Sequence, residues 1–280
     1  MSNADAARPA ATVVVLRDPS DVSSAAASVP HARPEIFLVR RHQGTAFMGG
    51  AHVFPGGRVD AADAEIAGDR FAHHVAAARE LFEEAGVLLA RDARGRFVSL
   101  ASAELQARFK QYRTDLHGRS LTLREILERE ALELAVGALV PFAHWVTPPV
   151  DTRRFDTRFF VARVPPEQTP AHDETETIES VWVTAADALD RARRDDIVLP
   201  PPTWTTLREL EPFRSVDDIL AWAAGRRIER REPRVLERDG IKMLLLPGDP
   251  LSPDRWGEPP PRETRFVLTN GRWRATAASA

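Results

Sequence analysis

Apolar runs of strand length recur along this chain between longer stretches with helical spacing. The runs TVVVL at 12–16 and IFLV at 36–39 are apolar or β-branched, which favours strands. Further runs lie at 139–146 and 158–164, and a fifth ends at Trp182-Val183. We therefore predict strands at these positions, joined by polar or helical segments.

Apolar residues three and four positions apart predict helices elsewhere. They occur over 104–113 and 123–134, and neither stretch contains residues that suggest chemistry. We interpret both as an insertion that covers one side of the core or shapes the substrate entrance. Thr184 and Ser215 stand before two further helical stretches, where hydroxyl side chains cap helix N-termini.

The stretch from Arg79 to Val87 carries three glutamates at helical spacing. Residues three and four apart are neighbours on a helix, so the glutamates share one face and apolar residues occupy the opposite, core-facing one. The small residues Ala76 and Ala77 flank the acidic face and are expected to leave room above it. The acidic set is Glu80, Glu83 and Glu84, and the apolar set is Phe71, Val75, Ala78, Phe82 and Ala85.

Three carboxylates this close repel one another unless a positive charge lies between them. A solvated helix face is the commoner explanation for an isolated pair of glutamates. Here, however, a Gly-Gly turn follows the apolar run 52–55, and Gly86 stands where the helix is expected to end. These surroundings favour a site for a divalent cation with oxygen ligands, Mg²⁺ or Mn²⁺.

Composition narrows the class of protein. The 280 residues are 43% hydrophobic and 28% charged, which is typical of a globular protein, and the net charge of −3 argues against a nucleic-acid partner held by phosphate contacts. Cysteine is absent, which excludes disulfides and thiol chemistry. No signal peptide or membrane-length apolar run is visible, so we expect a cytoplasmic protein with no membrane partner.

The acidic stretch and the glycines before it resemble the Nudix box, G-x5-E-x7-R-E-U-x-E-E-x-G-U, where U is a bulky apolar residue. Its second half matches without exception at Arg79, Glu80, Leu81, Glu83, Glu84, Gly86 and Val87. Counted from Gly57, the first acidic position falls on Asp63. The arginine should then stand at position 71 rather than 79, so eight residues are inserted here.

The resemblance extends over roughly residues 10 to 215 and is to the branch of the peroxisomal coenzyme A diphosphatases and their bacterial relatives. It implies an α+β fold, an α/β/α sandwich with a mixed central sheet and a helical insertion. It also implies catalysis by Arg79, Glu80, Glu83 and Glu84, with the three glutamates binding the metal and Arg79 orienting them. Further candidate metal ligands are the carbonyl of Gly56 or Gly57 and the side chain of Glu176 or Glu179.

Arginines near two predicted strands are candidates for substrate binding. Arginine suits bidentate phosphate contacts and also stacks on flat rings, and a nucleotide offers both groups. A solvated strand end or hairpin edge is the alternative for each group. The candidates are Arg40 and Arg41 after the second strand, and Arg153 and Arg154 beside Phe155.

The resemblance implies metal-dependent hydrolysis of the diphosphate in a nucleoside-diphosphate-linked substrate. Coenzyme A or acyl-coenzyme A would give adenosine 3′,5′-bisphosphate and (acyl-)4′-phosphopantetheine. Some coenzyme A hydrolases carry an arginine ahead of FPGG, whereas residues 44–48 here read GTAFM. Hydrolysis of ADP-ribose, a nucleotide sugar or a dinucleotide therefore stays open, as does a non-catalytic Nudix-fold ligand sensor.

We divide the chain into a disordered N-terminus at 1–10, a Nudix domain at 11–225 with its helical insertion at about 100–136, and a β-rich extension at 226–280. The Asn270-Gly271 pair between apolar runs is a strong two-residue hairpin signal. We consider two roles for the extension, formation of a homodimer and covering of the site.

Overall fold

The structure is a computed structural model that describes residues 6–21, 32–44, 48–173, 175–256 and 263–276. Its elements in chain order are β1 (Arg8–Arg17), β2 (Glu35–Arg41), β3 (His52–Val53), β4 (Gly56–Arg58), α1 (Ala61–Ala67), α2 (Ala72–Ala85), β5 (Ala90–Arg91), α3 (Ala103–His117), α4 (Leu123–Arg129), β6 (Glu133–Leu134), β7 (Val140–Val146), β8 (Phe155–Arg163), β9 (Thr177–Thr184), α5 (Ala185–Arg193), α6 (Pro201–Leu210), α7 (Val216–Gly225), β10 (Arg230–Arg231), β11 (Arg234–Arg238), β12 (Ile241–Leu245), β13 (Arg265–Thr269) and β14 (Arg272–Thr276).

A mixed sheet lies at the centre of the described chain. Its strand order is β10-β7-β8-β1-β2-β3, with β4 paired to β1 and β9 paired to β2. β1 runs parallel to β8 and antiparallel to β2 and β4. Its valines are buried on both sides because successive side chains point to opposite faces of the sheet. The five predicted strands are all present.

The expectation that residues 1–10 are disordered is wrong for Arg8 to Ala10. These residues begin β1 and pair with both β8 and β4. The backbone amide of Arg8 also donates to the carbonyl of Arg154 at 2.9 Å. Ladder hydrogen bonds on two sides therefore hold a segment whose sequence alone carries little strand signal. Residues 1–5 lie outside the described residues.

Helices cover both faces of the central sheet, which gives the α/β/α sandwich that the family resemblance implied. α2 packs on the face that carries Val13 and Val15. α5, α6 and α7 pack on the other face, beside Val14 and Leu16. Thr184 and Ser215 cap α5 and α7 as predicted, each accepting a backbone N–H from three residues further along the chain.

The helical insertion packs on the outer side of α2. Phe82 of α2 meets Phe109 of α3 edge to face, with ring centroids 6.3 Å apart, and Ile126 of α4 is fully buried in the same cluster. The second helix is shorter than predicted, because Ala131 adopts a left-handed conformation (φ 50°). The chain then forms β6, which pairs with β5.

The segment after residue 225 is rich in strands, but its first strand belongs to the central sheet. β10 lies parallel to β7 at the edge of that sheet. β11 to β14 form a second, antiparallel sheet, in which Asn270 and Gly271 make the predicted hairpin turn with φ angles of 51° and 74°. One face of this second sheet, including Leu244, joins the core formed by α6 and α7.

A buried ionic cluster joins α6 to the chain that leads into the second sheet. Glu209 accepts two hydrogen bonds from Arg231, at 2.7 and 2.9 Å, and one from Arg226 at 3.2 Å. Each guanidinium also lies over a tryptophan ring at 4.2 Å, Arg231 over Trp256 and Arg226 over Trp222. One carboxylate therefore accepts hydrogen bonds from two arginines that are almost removed from water.

We predict that Glu209→Gln lowers the free energy of unfolding by about 3–5 kcal/mol, because the buried guanidinium of Arg231 loses the charge of the carboxylate that accepts from two of its nitrogens. Chemical denaturation followed by circular dichroism measures this change. The matched control is Asp196→Asn, which removes the partner of Arg194 in an exposed pair at 3.1 Å and should cost less than about 1 kcal/mol. Equal stability of the two variants would contradict the role given to Glu209.

Candidate active site

The glycine turn lies directly against the glutamates of α2. The backbone amide of Gly56 donates to Oε2 of Glu84 at 3.0 Å. A Cβ atom on Gly57 would lie 2.4 Å from the carboxylate of Glu80, and one on Gly56 would lie 2.4 Å from the carbonyl oxygen of Ala11. Only glycine permits so close an approach, so the turn is shaped to meet these carboxylates.

α2 ends and packs as its sequence predicts, apart from Phe71 and two alanines. Gly86 terminates the helix in the left-handed conformation (φ 69°), and the predicted apolar face is buried from Val75 onward. The sequence also predicts Phe71 on that face, but Phe71 precedes the helix and is only partly buried. We expected Ala76 and Ala77 to leave room above the acidic face, and this expectation is wrong. Both are fully buried against the central sheet, because small side chains let the helix approach the sheet closely.

Arg79 holds the acidic face together. Its Nε and Nη2 donate to the two carboxylate oxygens of Asp63 at 2.9 and 3.1 Å, and Nη2 also donates to the carbonyl of Arg58 at 2.8 Å. Its Nη1 donates to Glu80 at 2.8 Å and to Glu83 at 3.2 Å. Burial alone would lower the pKa of Arg79, but the Asp63 hydrogen bond and the surrounding carboxylates raise it, so the guanidinium is permanently charged.

Asp63 is a structural partner of Arg79, a role that the sequence left undecided. Its side chain is 1% exposed, and one of its oxygens also accepts the backbone amide of Asp60 at 2.8 Å, capping α1. The residues between Asp63 and Arg79 form the rest of α1, a single 3-10 turn and the start of α2. The eight inserted residues therefore fold so that Asp63 still contacts Arg79.

The three glutamates are poorly solvated, and this changes their acidity. Burial raises the pKa of Glu80 to about 7, against the lowering effect of Arg79. Burial, and next the charge of Glu80, raise the pKa of Glu84 well above its usual range. Burial likewise raises the pKa of Glu83. The charge of Glu176 adds to the rise in all three, so Glu176 faces the cluster.

The glutamates suit a hard divalent cation by their chemistry. Each uses one oxygen for Arg79 or Gly56, and its second oxygen accepts no hydrogen bond from the described residues. Oxygen ligands with raised pKa values gain most from a nearby positive charge. The described side chains do not already converge as a group of three metal ligands. The guanidinium of Arg79 binds one oxygen of Glu80 and one of Glu83. The residues therefore offer the type of ligand atom that the ion requires, but they are not arranged as a complete coordination shell.

Glu80 and Glu83 line a cavity of about 830 Å³. Glu84 is buried and accepts a hydrogen bond from Gly56, which also lines the cavity. One wall comes from the helical insertion and α1, and another from the inner face of the second sheet with β7 and β8. The insertion wall includes Ile66, Leu116, His117, Arg119, Leu121, Leu123 and Arg124, and the opposite wall includes Trp145, Phe155, Phe159, Val235, Lys242, Leu244 and Trp273.

The substrate-binding candidates divide into two groups. Arg41 and Phe155 line the cavity, as Glu80 and Glu83 do. Arg41 also lies near enough to Glu84 for its charge to lower the pKa of that carboxyl, against the larger effect of burial. Arg40 instead pairs with Glu179 at 3.2 Å. Arg154 donates to the carbonyl of Thr147 and to Glu232, and Arg153 is exposed; neither lines the cavity.

Of the remaining candidate ligands, Gly56, Gly57 and Glu176 also line the cavity, and their roles as metal ligands stay predictions. Lys242 and Trp273 are cavity residues that the sequence did not single out. Both lie in strands of the second sheet, more than 150 residues after the glutamates. No sequence motif links these strands to the glutamates, so the sequence did not predict that Lys242 and Trp273 line the cavity.

Comparison with known protein families, sequences and structures identifies similar proteins. The model of the NUDT19 Nudix domain matches residues 63–210. Acyl-coenzyme A diphosphatase NUDT19 of Gallus gallus is 28% identical over 278 residues, covering 79% of this chain and 73% of that protein. The Homo sapiens protein of that name is 29% identical over 287 residues, covering 80% and 75%. The crystal structure of a NUDIX hydrolase from Alicyclobacillus acidocaldarius is 29% identical, with a TM-score of 0.65, covering 77% of this chain and 96% of that one.

The sandwich and its carboxylate helix thus define a Nudix hydrolase, as the resemblance in the sequence predicted. Because the matched model spans more than half of the chain, this protein belongs to the NUDT19 Nudix family. Among the described residues, no helix combines the length and the apolar character needed to cross a membrane.

We predict that Gly57→Ala lowers kcat/KM for diphosphate hydrolysis at least about 100-fold, because the new methyl group displaces the carboxylate of Glu80. Gly137→Ala is the matched control, since a Cβ there meets no atom within 4 Å. Steady-state kinetics on both variants, with circular dichroism to verify folding, makes the comparison. A folded Gly57→Ala enzyme with wild-type activity would rule out the close packing of Gly57 on Glu80 as a requirement.

Proposed function

We propose that this Nudix hydrolase cleaves the diphosphate bond of coenzyme A or acyl-coenzyme A. Water is consumed, one P–O bond of the anhydride breaks, and the products are adenosine 3′,5′-bisphosphate and (acyl-)4′-phosphopantetheine. The observation that carries the proposal is the cluster of three glutamates beside a cavity large enough for more than a diphosphate. Arg79 holds Glu80 and Glu83, and the backbone of Gly56 holds Glu84. The names of the relatives support the choice of substrate.

The chemistry of the cavity walls supports a substrate that is charged at one part and apolar at another. Arg41 lines the cavity together with Glu80 and Glu83 and suits a phosphate oxygen. α1 and the insertion contribute an apolar surface that suits an uncharged chain, formed by Ile66, Leu116, Leu121 and Leu123. Acyl-coenzyme A combines these groups, whereas ADP-ribose and nucleotide sugars have no long apolar part.

Glu80, Glu83 and Glu84 are the residues that would hold Mg²⁺ or Mn²⁺. When bound, such an ion neutralises diphosphate oxygens and makes water more acidic. The chain itself supplies the positioning: Gly56 fixes Glu84 by a backbone hydrogen bond, and Arg79 restrains Glu80 and Glu83. Asp63 in turn anchors Arg79. Groups held in this way lose little freedom when the substrate arrives.

Arg79 is a positioning residue in this scheme. Its guanidinium is already engaged by Asp63, Arg58, Glu80 and Glu83, so it acts on the substrate through the carboxylates. Arg41 and Phe155 are the proposed substrate contacts among the original candidates. A cytoplasmic location, a homodimer and the use of Mg²⁺ or Mn²⁺ stay predictions.

We predict that Glu84→Gln lowers kcat/KM by about 10³-fold or more at saturating Mg²⁺. The amide retains an acceptor for Gly56 but removes the negative charge that a cation requires. Glu104→Gln, on the exposed side of α3, is the control and should keep wild-type activity. Mn²⁺ binding followed by electron paramagnetic resonance supplies a second measurement. Near-wild-type turnover and Mn²⁺ affinity in Glu84→Gln would exclude this residue from the metal site.

A product analysis across several diphosphates tests the substrate. We expect coenzyme A and acyl-coenzyme A to be hydrolysed with higher kcat/KM than ADP-ribose or NADH, and only when Mg²⁺ or Mn²⁺ is added. Chromatography coupled to mass spectrometry should detect adenosine 3′,5′-bisphosphate as the common product. A much higher kcat/KM for ADP-ribose than for coenzyme A would contradict the proposed substrate, but not the assignment as a Nudix hydrolase.

A further inference from the structure

The second sheet approaches the cavity from a different side than the catalytic glutamates do. α2 packs on the face of the central sheet that carries Val13, whereas Leu244 of the second sheet shares a core with Val14. Adjacent residues of a strand point to opposite faces, so α2 and the second sheet flank the central sheet on opposite sides. Both nevertheless contribute residues to one cavity.

Lys242 is the cation that the second sheet places in this cavity. It lies in β12, two residues before buried Leu244, and therefore points to the same inner face of the sheet. Its side chain is partly buried, and no described residue forms a hydrogen bond or ion pair with it. Glu237, its neighbour across the ladder, is exposed and does not approach it within ion-pair distance.

A lysine that lines a cavity and has no ion-pair partner among the described residues can bind an anion that enters the cavity. Other arginines that line the cavity are exposed: Arg58, Arg119 and Arg124. Trp273 and Phe155 line the same wall as Lys242 and offer flat, partly buried surfaces of the kind that a nucleobase stacks on. A cation and aromatic rings on one wall suit a nucleotide that carries a phosphate of its own.

We propose that Lys242 binds a phosphomonoester that is separate from the scissile diphosphate, on a nucleotide half packed against the inner face of the second sheet. The inference rests on the proposed function and makes it more specific. In coenzyme A the group would be the 3′-phosphate of the ribose, with the apolar half directed toward the insertion. The C-terminal sheet is then a specificity element for the reaction.

The experiment compares coenzyme A with dephospho-coenzyme A, which lacks the 3′-phosphate. We expect Lys242→Met to raise KM for coenzyme A by about tenfold or more, the usual size of a lost hydrogen bond between charged groups. KM for dephospho-coenzyme A and kcat for both substrates should not change. Lys242→Arg should restore most of the affinity. Lys110→Met, the other lysine of the chain and exposed on α3, is the control.

Equal effects of Lys242→Met on both substrates, or no effect on either, would overturn the inference while hydrolysis of coenzyme A by the wild type still stood. If the wild-type enzyme hydrolyses neither substrate, the proposed function fails, and calorimetry still tests Lys242 without turnover. Adenosine 3′,5′-bisphosphate should then bind more tightly than AMP to the wild type and equally to Lys242→Met. Equal binding of the two nucleotides to the wild type would reject the site.

Discussion

The buried guanidinium of Arg79 is the contact on which the site depends. It donates two hydrogen bonds to Asp63 and one to the carbonyl of Arg58, and it restrains Glu80 and Glu83 with its remaining nitrogen. Carboxylates raised in pKa by burial would otherwise repel one another or take up protons. A permanently charged arginine keeps such a cluster compact, and Asp63 fixes the orientation of the guanidinium through two hydrogen bonds.

The cluster also depends on the backbone being close enough to touch it. Gly56 donates to Glu84, and Gly57 leaves no space for a side chain beside Glu80. Ala76 and Ala77 have a similar effect on the other side of the helix, because their small size brings α2 down onto the central sheet. The position of the carboxylates is therefore set from two directions, by glycines above and by alanines below.

The cavity is assembled from parts that are distant in the chain and lie on opposite faces of the sheet. The box supplies the carboxylates, the helical insertion supplies an apolar wall, and the C-terminal sheet supplies Lys242 and Trp273. The buried cluster around Glu209 joins α6 to the segment that enters that second sheet. The ionic cluster thus gives the C-terminal wall a firm attachment to the core, which a surface that selects a substrate requires.

The sequence by itself determined the elements and the chemistry of the box. Its apolar runs predicted the central strands, its caps predicted where α5 and α7 begin, and the spacing of Glu80, Glu83 and Glu84 predicted one acidic face. These are local properties, governed by the periods of strand and helix. Only the tertiary structure decided three further results. Asp63 contacts Arg79 across the residues inserted in the box, Arg41 rather than Arg40 lines the cavity with the carboxylates, and Lys242 lines the same cavity. Each of these results depends on contacts between residues far apart in the chain, and neither propensity nor spacing encodes them.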